Sequence, residues 1–258
     1  MSINTAKYLL VIVEGPSDQV TLENGLRNYI KDNFSDNNLS CDVIHGDLTV
    51  FYKSNLRKKR IIPATDAKRV IGNEVKDYLN KQRLKASDIL GIAQICDLDT
   101  AYGKESLEVS EDCSFSHNVS EKKTYVRNES QLARMEAVYE AKVKNTQLLF
   151  SMGGISIKNT IIPYRLFYFG IDLEYCLYLT TNNTDEYKDN QADMFNDRYG
   201  DDSVLFKSKF DAIPSIADTY IPSWEKDELV NHAFDRISNF KMLFDWIDQL
   251  VDRKILKN

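Results

Sequence analysis

Tyr8–Asp18 reads YLLVIVEGPSD. Five apolar residues, Leu9 to Val13, run straight into Glu14-Gly15-Pro16. A run of this length, rich in β-branched residues and closed by Gly-Pro, predicts a buried strand stopped by a turn. Parallel strands covered on both faces have this unbroken apolar character. Glu14 then stands at the carboxyl end of the strand, where open α/β sheets bind their ligands. After Asp18, the residues Val20, Leu22, Leu26, Tyr29 and Ile30 supply the inner face of a helix over about 17–32.

A second stretch has the same design. Ile89–Ile95 (ILGIAQI) is largely apolar and ends in Cys96-Asp97-Leu98-Asp99. Carboxylates two residues apart on extended backbone point to the same side. If the two strands are neighbours, Glu14, Asp97 and Asp99 converge. Clustered carboxylates repel one another unless a cation neutralises them, and a hard oxygen set suits Mg²⁺ or Mn²⁺.

With these residues the chain resembles the TOPRIM family, whose pattern is a strand ending in a glutamate-glycine pair, a helix, and a later strand ending in Asp-x-Asp. Glu14-Gly15 and Asp97-Leu98-Asp99 stand in that order over roughly residues 7–105. Asp18 adds the acid found after the glutamate-glycine pair in OLD-type nucleases and in stand-alone TOPRIM proteins of phage-defence (abortive infection) systems. The resemblance implies a Rossmann-like α/β domain with a mostly parallel sheet that binds Mg²⁺ and acts on phosphodiesters. It also suggests Glu14 as a general acid or base.

Between the two motifs, Cys41–His45 predicts a second strand. Thr65 or Asp66 caps a helix reaching about Gln82, with Val70, Ile71, Val75, Tyr78 and Leu79 at helical spacing. The order β-α-β-α-β requires crossover connections and a mostly parallel sheet. Residues 100–127 are polar and read as a loop, an insertion or a linker. Further helices are expected over Asn128–Phe150, Gly170–Leu179, Asp189–Arg198, Trp224–Arg236 and Asn239–Lys254, with a strand at Ile161–Tyr168. The expected division is a TOPRIM-like core over 1–110, an extension over 111–180 and a helix-rich C-terminal portion over 181–258.

Composition narrows the function classes. No stretch approaches the roughly 18 uninterrupted apolar residues of a membrane span, and MSINTAKYLL has no signal-peptide layout. Four scattered cysteines, Cys41, Cys96, Cys113 and Cys176, form no CxxC pair, so a cytoplasmic protein without structural zinc is expected. There is no GxxxxGK[ST] and no GxSxG. The net charge of −6 opposes broad nucleic-acid affinity, which leaves local charge to decide. Lys53, Arg57, Lys58, Lys59 and Arg60 form a basic cluster, whereas acids gather from Asp185 to Asp202.

Glu14, Asp97 and Asp99 are therefore the candidate catalytic and metal-binding residues. Asp18 and Glu174 are candidate additional ligands, although each also suits a helix start, where a carboxylate caps the helix and meets its dipole. Lys104 is a candidate for stabilising charge on a scissile phosphate. Arg57, Lys58, Lys59 and Arg60 are candidate nucleic-acid contacts. The expected activity is a Mg²⁺- or Mn²⁺-dependent nuclease acting on a nucleic acid, with a partner protein such as an ATPase in prospect and no membrane. The rival is a non-catalytic sensor or effector that binds a nucleotide or protein. Primer synthesis is a weaker third reading, since primases carry the same domain.

Overall fold

Along the strand β1 (Lys7–Val13), Leu9, Val11 and Val13 face one hydrophobic cluster while Leu10 and Ile12 face another, all at most 1% exposed. A strand buried on both sides must be covered by helices on both sides, and the computed structural model, which describes residues 6–53, 59–112, 115–182 and 184–255, has that three-layer form. After β1 come α1 (Pro16–Phe34), β2 (Leu39–His45), the short antiparallel pair β3 (Phe51–Lys53) and β4 (Lys59–Ile61), α2 (Ala64–Gln82) and β5 (Ile89–Asp97). Then follow β6 (Leu107–Val109), β7 (Ser116–Asn118), β8 (Lys123–Val126), α3 (Glu129–Phe150), β9 (Gly154–Ile157) and β10 (Thr160–Phe169). The remainder is α4 (Leu173–Tyr178), α5 (Asp185–Tyr199), α6 (Ser203–Asp211), α7 (Lys226–Asn231) and α8 (Met242–Ile255).

The main sheet has the order β2-β1-β5-β10-β9, parallel except for β9. The protein is thus α/β with a mixed, mostly parallel sheet. The chain leaves β1 for β2 on one side and then returns to β5 on the other, so the strand order reverses between β1 and β5. That junction is where a crevice opens in such sheets. Leu22 and Leu26 of α1, Phe195 of α5, Phe206 and Phe210 of α6 and Leu243 of α8 cover the face of Leu9 and Val11. Ile71 and Val75 of α2, Leu149 of α3, and Trp224, Phe234 and Ile237 cover the opposite face. α5, α6 and α8 therefore complete the layer that α1 begins, whereas α7, through Leu229, joins the opposite one.

Three sequence expectations need correction. Residues 100–127 are not merely loop: β6, β8 and β7 form a three-stranded sheet in that order. The stretch Trp224–Arg236 is not one helix. Only Lys226–Asn231 is α-helical, because Gly170 N–H donates to the Ile237 carbonyl (2.8 Å) and Ser238 bridges to Phe169, and this pairing pulls the chain out of helical form. Finally, α2 begins at Ala64 after Pro63, with no side-chain cap from Thr65 or Asp66.

One close approach fixes how α6 lies on α1. A Cβ on Gly25 would come within 2.1–2.5 Å of the Phe206 ring, which is fully buried. Alanine ordinarily gains about 1 kcal/mol over glycine inside a helix. Here overpacking of about 1–3 kcal/mol opposes and exceeds that gain. Gly25→Ala is expected to lower the melting temperature, and an unchanged or raised value in a thermal melt would show that Phe206 can withdraw.

Candidate active site

In the pairing of β1 with β5, Ile12 lies opposite Gln94. Carrying that register forward brings Glu14 level with Cys96, one residue before Asp97. The two acidic motifs therefore meet at the carboxyl ends of adjacent parallel strands, at the reversal of strand order. β10 fixes the other side. Phe169 pairs with Asp97, Leu98 N–H donates to the Phe169 carbonyl and Asp99 N–H to that of Ile171, both at 2.9 Å. Glu14, Gly15, Ser17, Asp18, Asp47, Asp97, Asp99, Asp185, Lys188 and Asp189 line a cleft of about 490 Å³ here.

Asp97 and Asp99 do not project side by side from one extended strand. β5 ends at Asp97, and Asp99 and Thr100 take left-handed backbone, φ 51° and 59°. Consecutive non-glycine residues in that region carry strain and need support from their surroundings. A buried hydroxyl network supplies it. Thr100 Oγ1 lies 2.9 Å from both Thr124 Oγ1 and Tyr139 OH, and His117 Nδ1 lies 3.0 Å from Thr124 Oγ1. Thr124 and His117 belong to β8 and β7, so the small sheet buttresses the Asp99 turn.

Two lysines that the sequence reading did not single out sit among the acids. Lys142 of α3 is 2% exposed. Its ammonium pairs with Asp99, donates to the Asp97 carbonyl at 2.6 Å and stands 3.4 Å from both oxygens of Glu14, whose Oε1 has no hydrogen-bond partner. Lys188 of α5 lies 3.1 Å from Glu174 and 3.7 Å from Asp172. Both lysines were legible in their helical stripes. Val138, Tyr139, Lys142, Asn145, Thr146 and Leu149 make up the buried stripe of α3. Lys188 stands one turn before the buried Ala192, Phe195 and Tyr199 of α5.

Acids outnumber these cations. Glu14, Asp18, Asp47, Asp97, Asp99, Asp172 and Glu174 lie within one another's fields, or those of the lysines, against Lys142 and Lys188. Burial pushes the Glu14 carboxyl well above its ordinary range. Lys142 opposes the shift, while Asp47, Asp99 and Asp18 add to it. Asp97 is raised by burial and then by Asp18, Glu14 and Asp172. Burial, with Glu174 next to it, lifts Asp18 from 3.8 to about 7, and burial lifts Asp172 to about 6 against the pull of Lys188. Burial acts on Asp99 too, but the Lys142 ammonium outweighs it and holds this carboxyl below the usual value. Lys142 is held protonated, because Asp99 and Glu14 overcome its burial.

The remaining expected residues divide. Asp18 both lines the cleft and closes the start of α1 by accepting the Gly15 N–H at 2.8 Å. Glu174 is buried in the first turn of α4, beside Asp18, and its Oε2 faces the Lys188 ammonium at 3.1 Å. Lys104 is exposed on a 3₁₀ turn near Glu140 and does not line the cleft. Arg57 and Lys58 lie outside the described residues. Lys59 and Arg60 fall on β4, and Arg60 is exposed. Phe51, at the start of the paired β3, lines a neighbouring cleft of about 460 Å³ together with Glu14 and Asp47.

The donor chemistry here, a set of carboxylate oxygens, fits a hard divalent cation. As the side chains stand, no three acidic, histidine or cysteine residues among those described are placed to hold one. The Lys142 ammonium occupies the space between Glu14 and Asp99. Among the described residues no helix is long and apolar enough to cross a membrane. The chain matches no protein-family model, no curated protein and no solved structure.

These shifts set a pH dependence. Asp18 and Asp172 bind protons more tightly folded than unfolded. Their stabilisation is complete below the ordinary carboxylate pKa and is lost as pH rises through about 6 and about 7. Asp18→Asn keeps an oxygen acceptor for Gly15 but cannot ionise. In chelator, the variant should therefore gain roughly a few degrees in melting temperature relative to the wild type between about pH 4 and pH 8. A difference that stays flat with pH would contradict the assignment.

Proposed function

We propose that the chain is a TOPRIM-type, metal-dependent nuclease that hydrolyses phosphodiesters, serving in phage defence in the manner of the stand-alone proteins it resembles. The observation that carries this reading is the meeting of Glu14-Gly15 and Asp97-Leu98-Asp99 at the ends of adjacent parallel strands, in a cleft with more carboxyl groups than its two lysines can pair. Glu14, Asp97 and Asp99 would hold Mg²⁺ or Mn²⁺, with Asp18 and Glu174 within the same field. Such an ion, when bound, neutralises phosphate charge, orients the substrate and activates water.

The chain's own residues have separable tasks in this reading. Glu14, raised by burial, is protonated closer to neutrality than a free glutamate and so suits proton transfer. Lys142, fixed as a cation, locks Asp99 and the Asp97 carbonyl in place. The hydroxyl cluster around Thr100 holds the left-handed turn that presents Asp99. Of the basic segment, Arg60 is exposed on β4, and the strand paired with it, β3, begins at Phe51, which lines the neighbouring cleft. Three buried, unbridged cysteines, Cys41, Cys96 and Cys176, agree with a reducing cytoplasm, and a partner ATPase would be the natural source of control.

One observation favours a second reading. Lys142 already gives the acidic motif a permanent counter-ion, so the same domain can stand as a non-catalytic sensor or effector that needs no metal. The two readings separate on metal response. For the nuclease, millimolar Mn²⁺ raises the melting temperature of the wild type by ligand linkage, and Asp97→Asn removes most of that rise together with metal-dependent cleavage of plasmid DNA or tRNA. Without metal the variant is at least as stable as the wild type, because like-charge repulsion is relieved. If Mn²⁺ shifts neither melt and Asp97→Asn costs stability, Asp97 is structural and the sensor reading stands.

A further inference from the structure

On the β10 side of the sheet, away from the carboxylates, Arg165 projects into a separate cleft of about 380 Å³. Its guanidinium lies over the Tyr220 ring, 4.6 Å from the centroid, and 5.7 Å from that of Trp246. The ring of Tyr220 is pinned in turn: its hydroxyl accepts from Leu166 N–H and donates to the Leu166 carbonyl, each at 3.0 Å. Arg253 of α8 lines the same cleft, as do Ser151, Gly153, Pro163 and Ile221. Arg165 is only half-buried, so one side of the fork faces the opening.

The electrostatics of this pair are unusual for the chain. The protein carries −6 overall, yet among the described residues neither Arg165 nor Arg253 has a carboxylate partner within ion-pair distance. Asp252, next to Arg253 in sequence, and Asp218, two residues before Tyr220, pair with neither. The two guanidiniums line the same cleft, and burial first, then Arg253, disfavour the charge on Arg165. Two like charges held in a concave, aromatic-backed site cost free energy unless an anion joins them. Stacking on Tyr220 and Trp246 also fixes the plane of the Arg165 fork, so less rotamer freedom is lost on binding. A planar donor fork beside a second arginine matches the oxygens of a phosphate group. The concave shape and volume suit a small molecule rather than a duplex. The exposed Ile221 and the ring of Pro163 offer an apolar wall beside the cations.

We propose that this cleft is a binding site for a small phosphate-bearing ligand of the nucleotide class, with Arg165 and Arg253 holding the phosphates and the Pro163–Ile221 wall taking the apolar part. The site is separate from the carboxylate cleft and does not depend on the nuclease reading. Trp246 reports on it directly.

The test follows tryptophan fluorescence and thermal melting of the full chain in excess chelator, so that the carboxylate cleft contributes no metal-dependent signal. The probes are inorganic phosphate, pyrophosphate and the four common nucleoside diphosphates, with citrate as a carboxylate control. At least one nucleotide should bind saturably, more tightly than pyrophosphate, and pyrophosphate more tightly than citrate. Arg253→Gln, an exposed substitution that leaves the Tyr220 stack intact, should weaken binding roughly 10-fold or more, and Arg165→Gln by at least as much. Asp97→Asn should bind as the wild type does. Binding of pyrophosphate with no gain from any nucleoside would assign the site to free phosphates and overturn the nucleotide class. Failure of every phosphate to bind, or equal affinity in Arg253→Gln and wild type, would overturn the site altogether.

Discussion

A lysine ammonium enclosed by acids at the end of the sheet is the contact on which the cleft depends. Lys142 reaches from α3 to Glu14, to Asp99 and to the backbone carbonyl of Asp97, and so ties the ends of β1 and β5 to the opposite helix layer. Isolated buried charges are costly, and Lys142, 2% exposed, would be one without Asp99, whose own side chain keeps 40% of its surface in solvent. Lys142 and Asp99 thus constrain one another: neither can be neutralised without stranding the other. The same constraint explains why Tyr139, one turn earlier on α3, is fully buried and hydrogen-bonded to Thr100. A single helix face sets both the counter-ion and the turn that carries Asp99.

The carboxylates are shared between two cations in different ways. Lys142 serves Glu14 and Asp99, whereas Lys188, from the C-terminal half, serves Asp172 and Glu174 and lies in the field of Asp97. Asp18 and Asp97 make no ion pair with either among the described residues; burial first, and then the neighbouring acids, disfavour their charged forms. Direct pairing with a cation is thus lacking at Asp18 and Asp97, which is where a divalent ion would relieve repulsion. Because Lys188 comes from α5, the C-terminal helices complete the cleft as well as the hydrophobic layer over α1.

Much of this was legible in the chain. Unbroken apolar runs ending in acids marked β1 and β5, and helical spacing marked α1, α2 and α8, because both signals come from burial on defined faces. The small sheet over residues 107–126 was not legible. Its strands are three or four residues long and largely polar, and only Leu107 and Val126 add to the side-chain hydroxyl network that holds them. The left-handed turn at Asp99 and Thr100 escaped for a related reason, since neither residue is a glycine and the conformation is imposed by tertiary hydrogen bonds. Lys142 and Lys188 read as ordinary surface lysines unless placed on the buried stripes of their helices. Only those stripes would have shown that each cation points inward.

The most direct test of the central claim, that this acidic cleft is built to take a divalent cation, is an anomalous-scattering map from a crystal of the protein soaked in Mn²⁺. The account predicts a peak bounded by carboxylate oxygens of Glu14, Asp97 and Asp99, with the Lys142 ammonium drawn off Glu14 and still bonded to the Asp97 carbonyl. A map with no peak in the cleft, and Lys142 still bridging Glu14 and Asp99, would contradict it and leave the lysine as the only counter-ion the site is made for.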